Sequence, residues 1–598
     1  MGELEKQRIA ALQKLLKESG IDYYIVPTAD YHNSEYVHAH FKMREFLSGF
    51  TGSAGTLVVS AKEAGLWTDG RYFVQAENEL KGSGIVLYKM LEEGVPKIKE
   101  YLEKNVTQGQ TIGFDGRVVD AFFGKELEET LDGKNVTFVY DKDIASQLWQ
   151  DRPKRPVSRL WIVSEESCGM SVAEKLAKVR EKMAEEGAEH LLVSKLDDIM
   201  WLYNIRANDV ECNPVALSYT YVSKDKAVLF IQAEALTAET EQHLEKSGVH
   251  CEDYDNVAAY LKTCEMNGKV WCSSADLSYM LYKLVQSRAE LLDKKNPTEL
   301  LKAVKNPVEL AHIRDCYIKD SAVLTKFLFW MKENAGKVPM DELSVAAKLD
   351  GMRTKIPGFL DLSFPTISAY KANAAMAHYS ATKEHFSKIE ADGFYLVDSG
   401  GQYDGGTTDV TRTIALGPVT DEMKMHFTKV ACSMLRLADA KFLHGCTGRN
   451  LDIVAREPLW QCGLDYKHGT GHGIGYILNV HEGPHSLRWQ YRPELPETEL
   501  EEGMIVSDEP GMYVEDSHGI RTENIVEIVS GEKNEYGQFM GFRHLTYVPI
   551  DLDAIDTQYM EPSDIRRLNA YHESVYEKLS PYFEGMGLEM LRKATRAV

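Results

Sequence analysis

A chain of 598 residues with 44% hydrophobic and 27% charged residues has the material for several ordinary globular domains and is neither disordered nor fibrous in composition. A net charge of -23 lacks the basic footprint that nucleic acid or an anionic membrane surface needs, and no apolar run is long enough to span a bilayer. The nine cysteines are scattered without zinc-ribbon spacing, and the amino terminus lacks the apolar core of a signal peptide, so they read as reduced thiols in a cytoplasmic protein.

The chain opens with a helical pattern from Leu4 to Ser19, a stop at Gly20 and a strand from Asp22 to Val26. The stretch Leu16 to Val26 is echoed 167 residues later by Met183 to Val193. Phe46 to Gly49 has a weak counterpart in Trp201 to Asn204, and Phe73 to Ala76 returns as Phe230 to Ala233. This repetition predicts a duplicated α/β domain. A Pro-rich linker ending at Pro156, and the stretch from Asn296 to Pro307, divide the chain into 1–155, 156–305 and 306–598. Neither copy carries a catalytic set. Asp69 with Arg71, and Arg206 with Asp209, read as local ion pairs, and the Gly49 to Gly55 stretch reads as tight turns because it lacks a phosphate-loop lysine.

The third region begins with helical patterns over Val308 to Glu333 and Met340 to Met352, then strand-like segments at Phe364 to Tyr370 and His378-Tyr379. From Tyr395 to Ile414, β-branched residues flank a Gly- and Asp-rich centre, as in two strands joined by a tight turn. With Tyr403 and Asp404 at the tip, Asp398 would face Asp409 across the hairpin. Two like charges so placed destabilise the pair unless a cation neutralises them. After a helix from about Asp421 to Lys441, His472 stands among glycines 469, 471, 473 and 475, which let backbone approach it closely. The run His481-Glu-Gly-Pro-His485 has the spacing of a zinc-protease helix, but Gly483 and Pro484 oppose that helix. Glu509 and Glu523 fall in apolar, β-branched strand patterns separated by a turn at Asp516 to Gly519.

Asp398, Asp409, His472, Glu509 and Glu523 together offer four carboxylates and one neutral imidazole. Two divalent cations would cancel the four negative charges and leave a site able to hold hydroxide between them, the arrangement of a two-metal hydrolase. Oxygen-rich ligation favours Mn²⁺ or Mg²⁺, with Zn²⁺ or Co²⁺ able to compete on affinity.

The five residues lie in Val-Asp398-Ser-Gly, Thr-Thr-Asp409-Val-Thr-Arg-Thr, His468-Gly-Thr-Gly-His472-Gly, Asp-Glu509-Pro-Gly and Arg521-Thr-Glu523-Asn. This ordered set closely resembles the pita-bread metallopeptidases. The duplicated first half, with Leu568 to His572 and Leu579-Ser-Pro581 near the carboxyl end, narrows the resemblance to the three-domain Xaa-Pro aminopeptidases, often called aminopeptidase P. It implies a mixed α/β and α+β chain: two creatinase-like α/β domains followed by a pita-bread catalytic domain with a C-terminal extension. It further implies that Asp398 binds one metal, His472 and Glu509 the other, and that Asp409 and Glu523 bridge them. His378 and His481 would contact the scissile peptide and its tetrahedral intermediate, and His468 would line the proline side of the cleft. Phe364 would help form the proline pocket, Arg521 would orient the site, and Glu509 would accept the proton of the attacking hydroxide. The implied cofactor is two divalent ions, Mn²⁺ foremost. The implied substrates are peptides with proline in second position, and the implied assembly is a homodimer. Two alternatives stand beside this reading: a prolidase acting on dipeptides, and a pita-bread module that binds peptide without turnover.

Overall fold

The first helix, α1 (Glu3–Glu18), buries Ile9, Leu12 and Leu16 at helical spacing and stops before Gly20, whose φ of 68° takes the left-handed conformation that ends helices. Its echo, α2 (Val172–Glu185), stops in the same way before Gly187, at φ 65°. In the computed structural model, which describes residues 2–491 and 497–598, each helix leads into a six-stranded sheet. The first contains β1 (Tyr23–Pro27), β2 (Thr56–Ser60), β3 (Ala64–Thr68), β4 (Val86–Lys89), β5 (Thr111–Phe114) and β6 (Thr137–Val139), in the order β4-β3-β2-β1-β5-β6. The second contains β7 (His190–Val193), β8 (Ser218–Ser223), β9 (Ala227–Ile231), β10 (Val249–Asp253), β11 (Lys269–Cys272) and β12 (Glu290–Asp293), in the order β10-β9-β8-β7-β11-β12. Strand order and direction agree throughout, with the three central strands antiparallel and the outer pairings parallel in both sheets. The duplication is therefore one of topology.

The weak echo at Phe46 is sound, since both short helices there end on left-handed residues, Gly49 and Asn204. The echo at Phe73 is not. Phe73 opens a helix, Phe73–Glu79, whereas Phe230 lies inside β9, because a four-residue apolar-polar run fits either element and packing decides between them. Both halves fall in one compact unit, Met1–Val163 with Met170–Thr298, and the second unit takes Ser164–Gly169 with Glu299–Val598.

The second unit starts its long helix α3 (Pro307–Asn334) with a strong signal: Asn306 accepts from the amides of Val308 and Glu309, and Pro307 occupies the first turn. With α4 (Glu342–Arg353) it buries Leu324, Phe327, Val345 and Leu349 against Tyr395, Val397 and Ile414, each worth roughly 1.5–3 kcal/mol when fully buried. The strands below are β13 (Phe359–Leu362), β14 (Ile367–Tyr370), β15 (Phe394–Ser399), β16 (Gly401–Tyr403), β17 (Gly406–Thr407) and β18 (Val410–Ala415). Alternation turns Tyr395 and Val397 toward the helices, which leaves Leu396 and Asp398 on the opposite face.

The hairpin register differs from the predicted one. The turn lies at Asp404-Gly405, closed by Tyr403 opposite Gly406, and β15 pairs Asp398 with Thr411, not with Asp409. The chain also changes sheet midway. Strands β14, β15 and β18 form one three-stranded sheet, and β13, β16 and β17 form another. The crossing needs Gly400, where a Cβ would collide with the Thr408 carbonyl. Asp409 is left in the gap between β17 and β18, free of the ladder. His378-Tyr379 is not a strand either: β14 ends at Tyr370, a 3-10 turn (Lys371–Ala375) follows, and His378 lies exposed on the next turn.

A six-stranded sheet completes the unit, built from β19 (Phe442–Leu443), β20 (Gly471–Gly473), β21 (Glu482–Leu487), β22 (Ile505–Asp508), β25 (Asn524–Asn534) and β26 (Gly537–His544), in the order β19-β26-β25-β22-β20-β21. Helices Asp421–Ala438 and Gly448–Trp460 pack Phe427, Val430, Leu451 and Leu459 onto its Val506, Val526 and Ile528. A separate ribbon pairs β23 (Gly511–Val514) with β24 (His518–Arg521). The turn between them is Glu515 to Ser517, with Asp516 at φ 57°, so the expected turn residues His518 and Gly519 belong to β24. Glu509 and Glu523, expected inside strands, occupy facing breaks where both strands leave the large sheet and enter the ribbon, and there Thr522 N donates to Pro510 O at 3.3 Å. No helix among the described residues is long and apolar enough to cross a membrane, and all nine cysteines are free thiols.

Candidate metal centre

These interruptions turn side chains from distant strands toward one point. Ligand atoms of Asp409, His472 and Glu523 all lie within 4.8 Å of one another. His472 Nε2 is 3.5 Å from Asp409 Oδ2 and 3.4 Å from Glu509 Oε1. Its Nδ1 donates to the Gly473 carbonyl at 3.0 Å, so Nε2 carries the lone pair that faces the carboxylates, as a metal-binding imidazole requires. The β20–β21 pairing shifts register immediately after His472, and such bulges re-aim side chains beside functional sites. Ser507 links two members of the set, accepting from His472 N at 2.9 Å and donating to Glu509 Oε1 at 3.2 Å. Thr411 holds a third, donating to Glu523 Oε2 at 2.7 Å.

Arg521 organises the other side. It donates to Asp398 Oδ2 at 2.6 Å, to Thr411 Oγ1 at 3.1 Å and to the Tyr513 hydroxyl at 2.8 Å. With the Tyr513 oxygen accepting from arginine, its own hydrogen goes to His468 Nε2 at 2.9 Å, while His468 Nδ1 donates to Gly469 O at 2.8 Å. Burial, seconded by the Arg521 charge, lowers the His468 pKa to about 3, so the ring is neutral with both nitrogens engaged by protein.

Three buried carboxylates and the partly buried Glu509 against one guanidinium leave a surplus of negative charge. Burial first, then Glu523, Asp398 and Glu509, pushes Asp409 well above its usual range. Burial, then Asp398 and Glu509, does the same to Glu523. Glu509 is raised to about 8, by burial and then by Asp398 against the opposing pull of Arg521. Asp398 Oδ1 is buried without a hydrogen-bond partner. A carboxylate cluster that repels itself around an imidazole lone pair is a cation site in its chemistry, and all five residues fit divalent ions.

The other sequence-derived residues are placed less uniformly. The His481 ring meets that of His472 edge-on, with centroids 4.3 Å apart. Phe364 is buried, one residue beyond Ser363, whose hydroxyl donates to Thr408 O at 2.7 Å beside Asp409. His378 stands on its exposed turn. Thr411, Ser507 and Tyr513 are the site residues that sequence reasoning missed. For Thr411 and Ser507 a signal existed, since each lies two positions from a carboxylate, whereas nothing local to Tyr513 marks it.

From Glu482 on, the decoy zinc motif is β-strand, Glu482–Leu487, and His481 lies just before it, so its histidines share no helix face. His485 is buried and its Nε2 donates to Ile505 O at 2.8 Å. His485→Ala should therefore cost about 2–4 kcal/mol of stability through a cavity and a lost hydrogen bond, with metal content retained. His481→Ala should cut turnover without emptying the site. Metal analysis with thermal melting of both variants checks this, and metal loss from the His485 variant would overturn it.

The Creatinase/Prolidase N-terminal domain is matched twice, over residues 8–145 and 151–309; Metallopeptidase family M24 is matched over 311–530, and the C-terminal region of that peptidase family over 538–598. Xaa-Pro aminopeptidase 1 of Dictyostelium discoideum is 36% identical, over 97% of this chain and 94% of that protein. The crystal structure of X-prolyl aminopeptidase from Caenorhabditis elegans, described as a cytosolic enzyme with a di-nuclear active site, matches with a TM-score of 0.94 at 30% identity over 100% of both chains. The Xaa-Pro dipeptidase from Bacillus anthracis matches less well, with a TM-score of 0.51 at 25% identity over 64% of this chain and 99% of that one. With duplicated creatinase-like domains ahead of a pita-bread domain and homology along nearly its whole length, this chain belongs to the Xaa-Pro aminopeptidase P family of metallopeptidases.

Proposed function

We propose that this protein is a metal-dependent aminopeptidase that releases the N-terminal residue from peptides with proline in second position. The observation that carries the reading is the convergence of the His472 Nε2 lone pair with buried, mutually repelling carboxylates at one point. Asp398, Asp409, His472, Glu509 and Glu523 would hold two divalent cations, Asp409 and Glu523 serving both. Divalent ions there supply Lewis-acid polarisation of the scissile carbonyl and activation of the attacking water. Hard oxygen donors favour Mn²⁺, with Zn²⁺ and Co²⁺ as competitors.

The chain's own groups divide the remaining work. Glu509 accepts the proton of the attacking water at a carboxylate oxygen and passes it to the leaving nitrogen. His481, edge-on to His472, meets negative charge developing on the carbonyl oxygen, and His378 reaches the peptide from its exposed turn. Phe364 walls the proline ring. Arg521 orients Asp398 directly and His468 through Tyr513. The segments 1–155 and 156–305 are two copies of one topology within a single compact unit, and 306–598 carries the chemistry. The nine free thiols support a cytoplasmic location. A homodimer is supported by the exposed Trp460 and Trp489, whose rings meet edge-on at 5.9 Å on the surface of the catalytic unit.

The test is to strip the protein with a chelator, add back Mn²⁺, Zn²⁺ or Co²⁺ separately, and assay one Xaa-Pro dipeptide and one Xaa-Pro-Xaa tripeptide. Metal-restored cleavage of the tripeptide is the expected result. Cleavage of the dipeptide alone would make the protein a prolidase. Peptide binding without cleavage of either would make it a non-catalytic module.

A further inference from the structure

Arg412 follows Thr411 on β18, so alternation sends its side chain to the opposite face from the hydroxyl that holds Glu523. It is 1% exposed, and every hydrogen-bond partner found for its guanidinium is a neutral oxygen. Nη1 donates to the carbonyls of Thr411 at 2.8 Å and Glu523 at 2.5 Å. Nη2 donates to Asn524 Oδ1 at 2.7 Å, Val548 O at 2.7 Å and the Tyr571 hydroxyl at 2.9 Å, and Nε reaches Pro549 O at 3.3 Å. The five N–H groups of the fork thus serve six acceptors, which is how a buried charge without a contacting carboxylate is tolerated.

The partners come from two parts of the chain. Thr411 and Asn524 lie on strands of the candidate metal centre, and Glu523 lies in the break just before Asn524. Val548, Pro549 and Tyr571 lie in the C-terminal region, with Tyr571 on the helix Pro562–Leu579. The Tyr571 hydroxyl accepts from Arg412 and donates onward to Val548 O at 2.8 Å, so it fixes both the guanidinium and a carbonyl that the guanidinium uses.

We propose that Tyr571 is a positioning residue for the metal centre, acting through Arg412 to fix the backbone of Thr411 and Glu523. The C-terminal region is then part of the apparatus that holds the cations. This rests on the metal-site reading given above. Tyr571 touches neither substrate nor metal. Its effect passes from the tyrosine hydroxyl through the guanidinium to the carbonyls of Thr411 and Glu523, and from there to the hydroxyl and carboxylate that these residues bring to the site.

Tyr571→Phe keeps the volume and removes only the hydroxyl, and Arg412→Lys keeps the charge and removes the fork. Leu579→Ala, about 12 Å further along the same helix and fully buried in the hydrophobic core, serves as a stability control. Each protein is stripped with a chelator, its thermal midpoint recorded, and Mn²⁺ affinity measured by calorimetric titration. Expected is a roughly 3- to 10-fold loss of Mn²⁺ affinity for Tyr571→Phe and roughly 10- to 100-fold for Arg412→Lys, the range for residues supporting metal ligands. Leu579→Ala should lower the midpoint more than Tyr571→Phe while staying within about twofold of unsubstituted affinity, since a distant cavity does not move a ligand. Unchanged affinity in Tyr571→Phe, or affinity losses that merely track the midpoint across all three variants, would overturn the proposal. If the unsubstituted protein takes up none of Mn²⁺, Zn²⁺ and Co²⁺, the metal-site reading itself fails, an outcome distinct from a normal parent with an unaffected Tyr571 variant.

Discussion

Glu523→Gln should remove nearly all activity, roughly 100-fold or more, and lower the bound metal per chain. Glu523 is 2% exposed, receives the Thr411 hydroxyl on Oε2, and has Asp409 and His472 within ligand distance. Glutamine keeps the shape and one acceptor but loses the charge that a cation shared with Asp409 requires. The same substitution should have the opposite effect on the stripped protein. Glu523 is pushed well above its ordinary value of 4.5 by burial and then by Asp398 and Glu509, so the folded state binds its proton more tightly than the unfolded state does. Stability then falls as pH rises above the unfolded value, and a neutral glutamine escapes that loss. Metal-free Glu523→Gln should melt above the metal-free parent at pH 8, with the gap closing toward pH 4.5. Metal analysis, turnover and melting at the two pH values check this. Two tightly held metals with unaltered turnover would remove Glu523 from the ligand set.

The second large effect is substrate choice. An Xaa-Pro bond is a tertiary amide without N–H, so a cleft shaped for it can close on the ring with apolar walls and offer no acceptor. A secondary amide in that cleft leaves a donor unpaired, a cost of about 1–3 kcal/mol, or roughly 5- to 150-fold in specificity before ring packing is counted. His468 fits such a cleft, since both its ring nitrogens are already engaged by Tyr513 and Gly469. With Mn²⁺ present, Arg-Pro-Pro and Ala-Pro-Ala should lose their first residue while Ala-Ala-Ala is spared. Phe364→Ala should narrow the difference mainly by slowing the proline substrates. Comparing kcat/KM for the three tripeptides on both proteins is the measurement. Equal cleavage of Ala-Pro-Ala and Ala-Ala-Ala by the unsubstituted protein would point to a broad-specificity aminopeptidase instead.

Much of this molecule is written locally. The Asn306-Pro307 start of α3, the left-handed stops at Gly20 and Gly187, and the duplicated helix-to-strand grammar all depend on neighbours a few residues apart, where propensity and capping act. The five candidate ligands were legible for a related reason. Carboxylates and a histidine set among glycines and β-branched residues are costly without a cation, so their pattern is itself chemical information. The Phe73 echo failed because four residues do not distinguish a helix start from a strand end.

Tertiary structure alone decided how those residues meet. The sequence determined that Asp398 and Asp409 flank a tight turn, but register depends on where that turn closes and on the change of sheet at Gly400, and these set Asp398 opposite Thr411 and Asp409 in a gap. Glu509 and Glu523 likewise read as strand residues, and only the split between the large sheet and the β23–β24 ribbon sets them in opposite breaks of the two strands. The contacts that hold the site in place, Arg521 to Asp398, Thr411 to Glu523 and Arg412 to Tyr571, each join residues more than one hundred positions apart. Local pattern selects residue types and the elements they build. Such long-range pairs are fixed by the packing of whole sheets and helices, and no window along the sequence contains both partners.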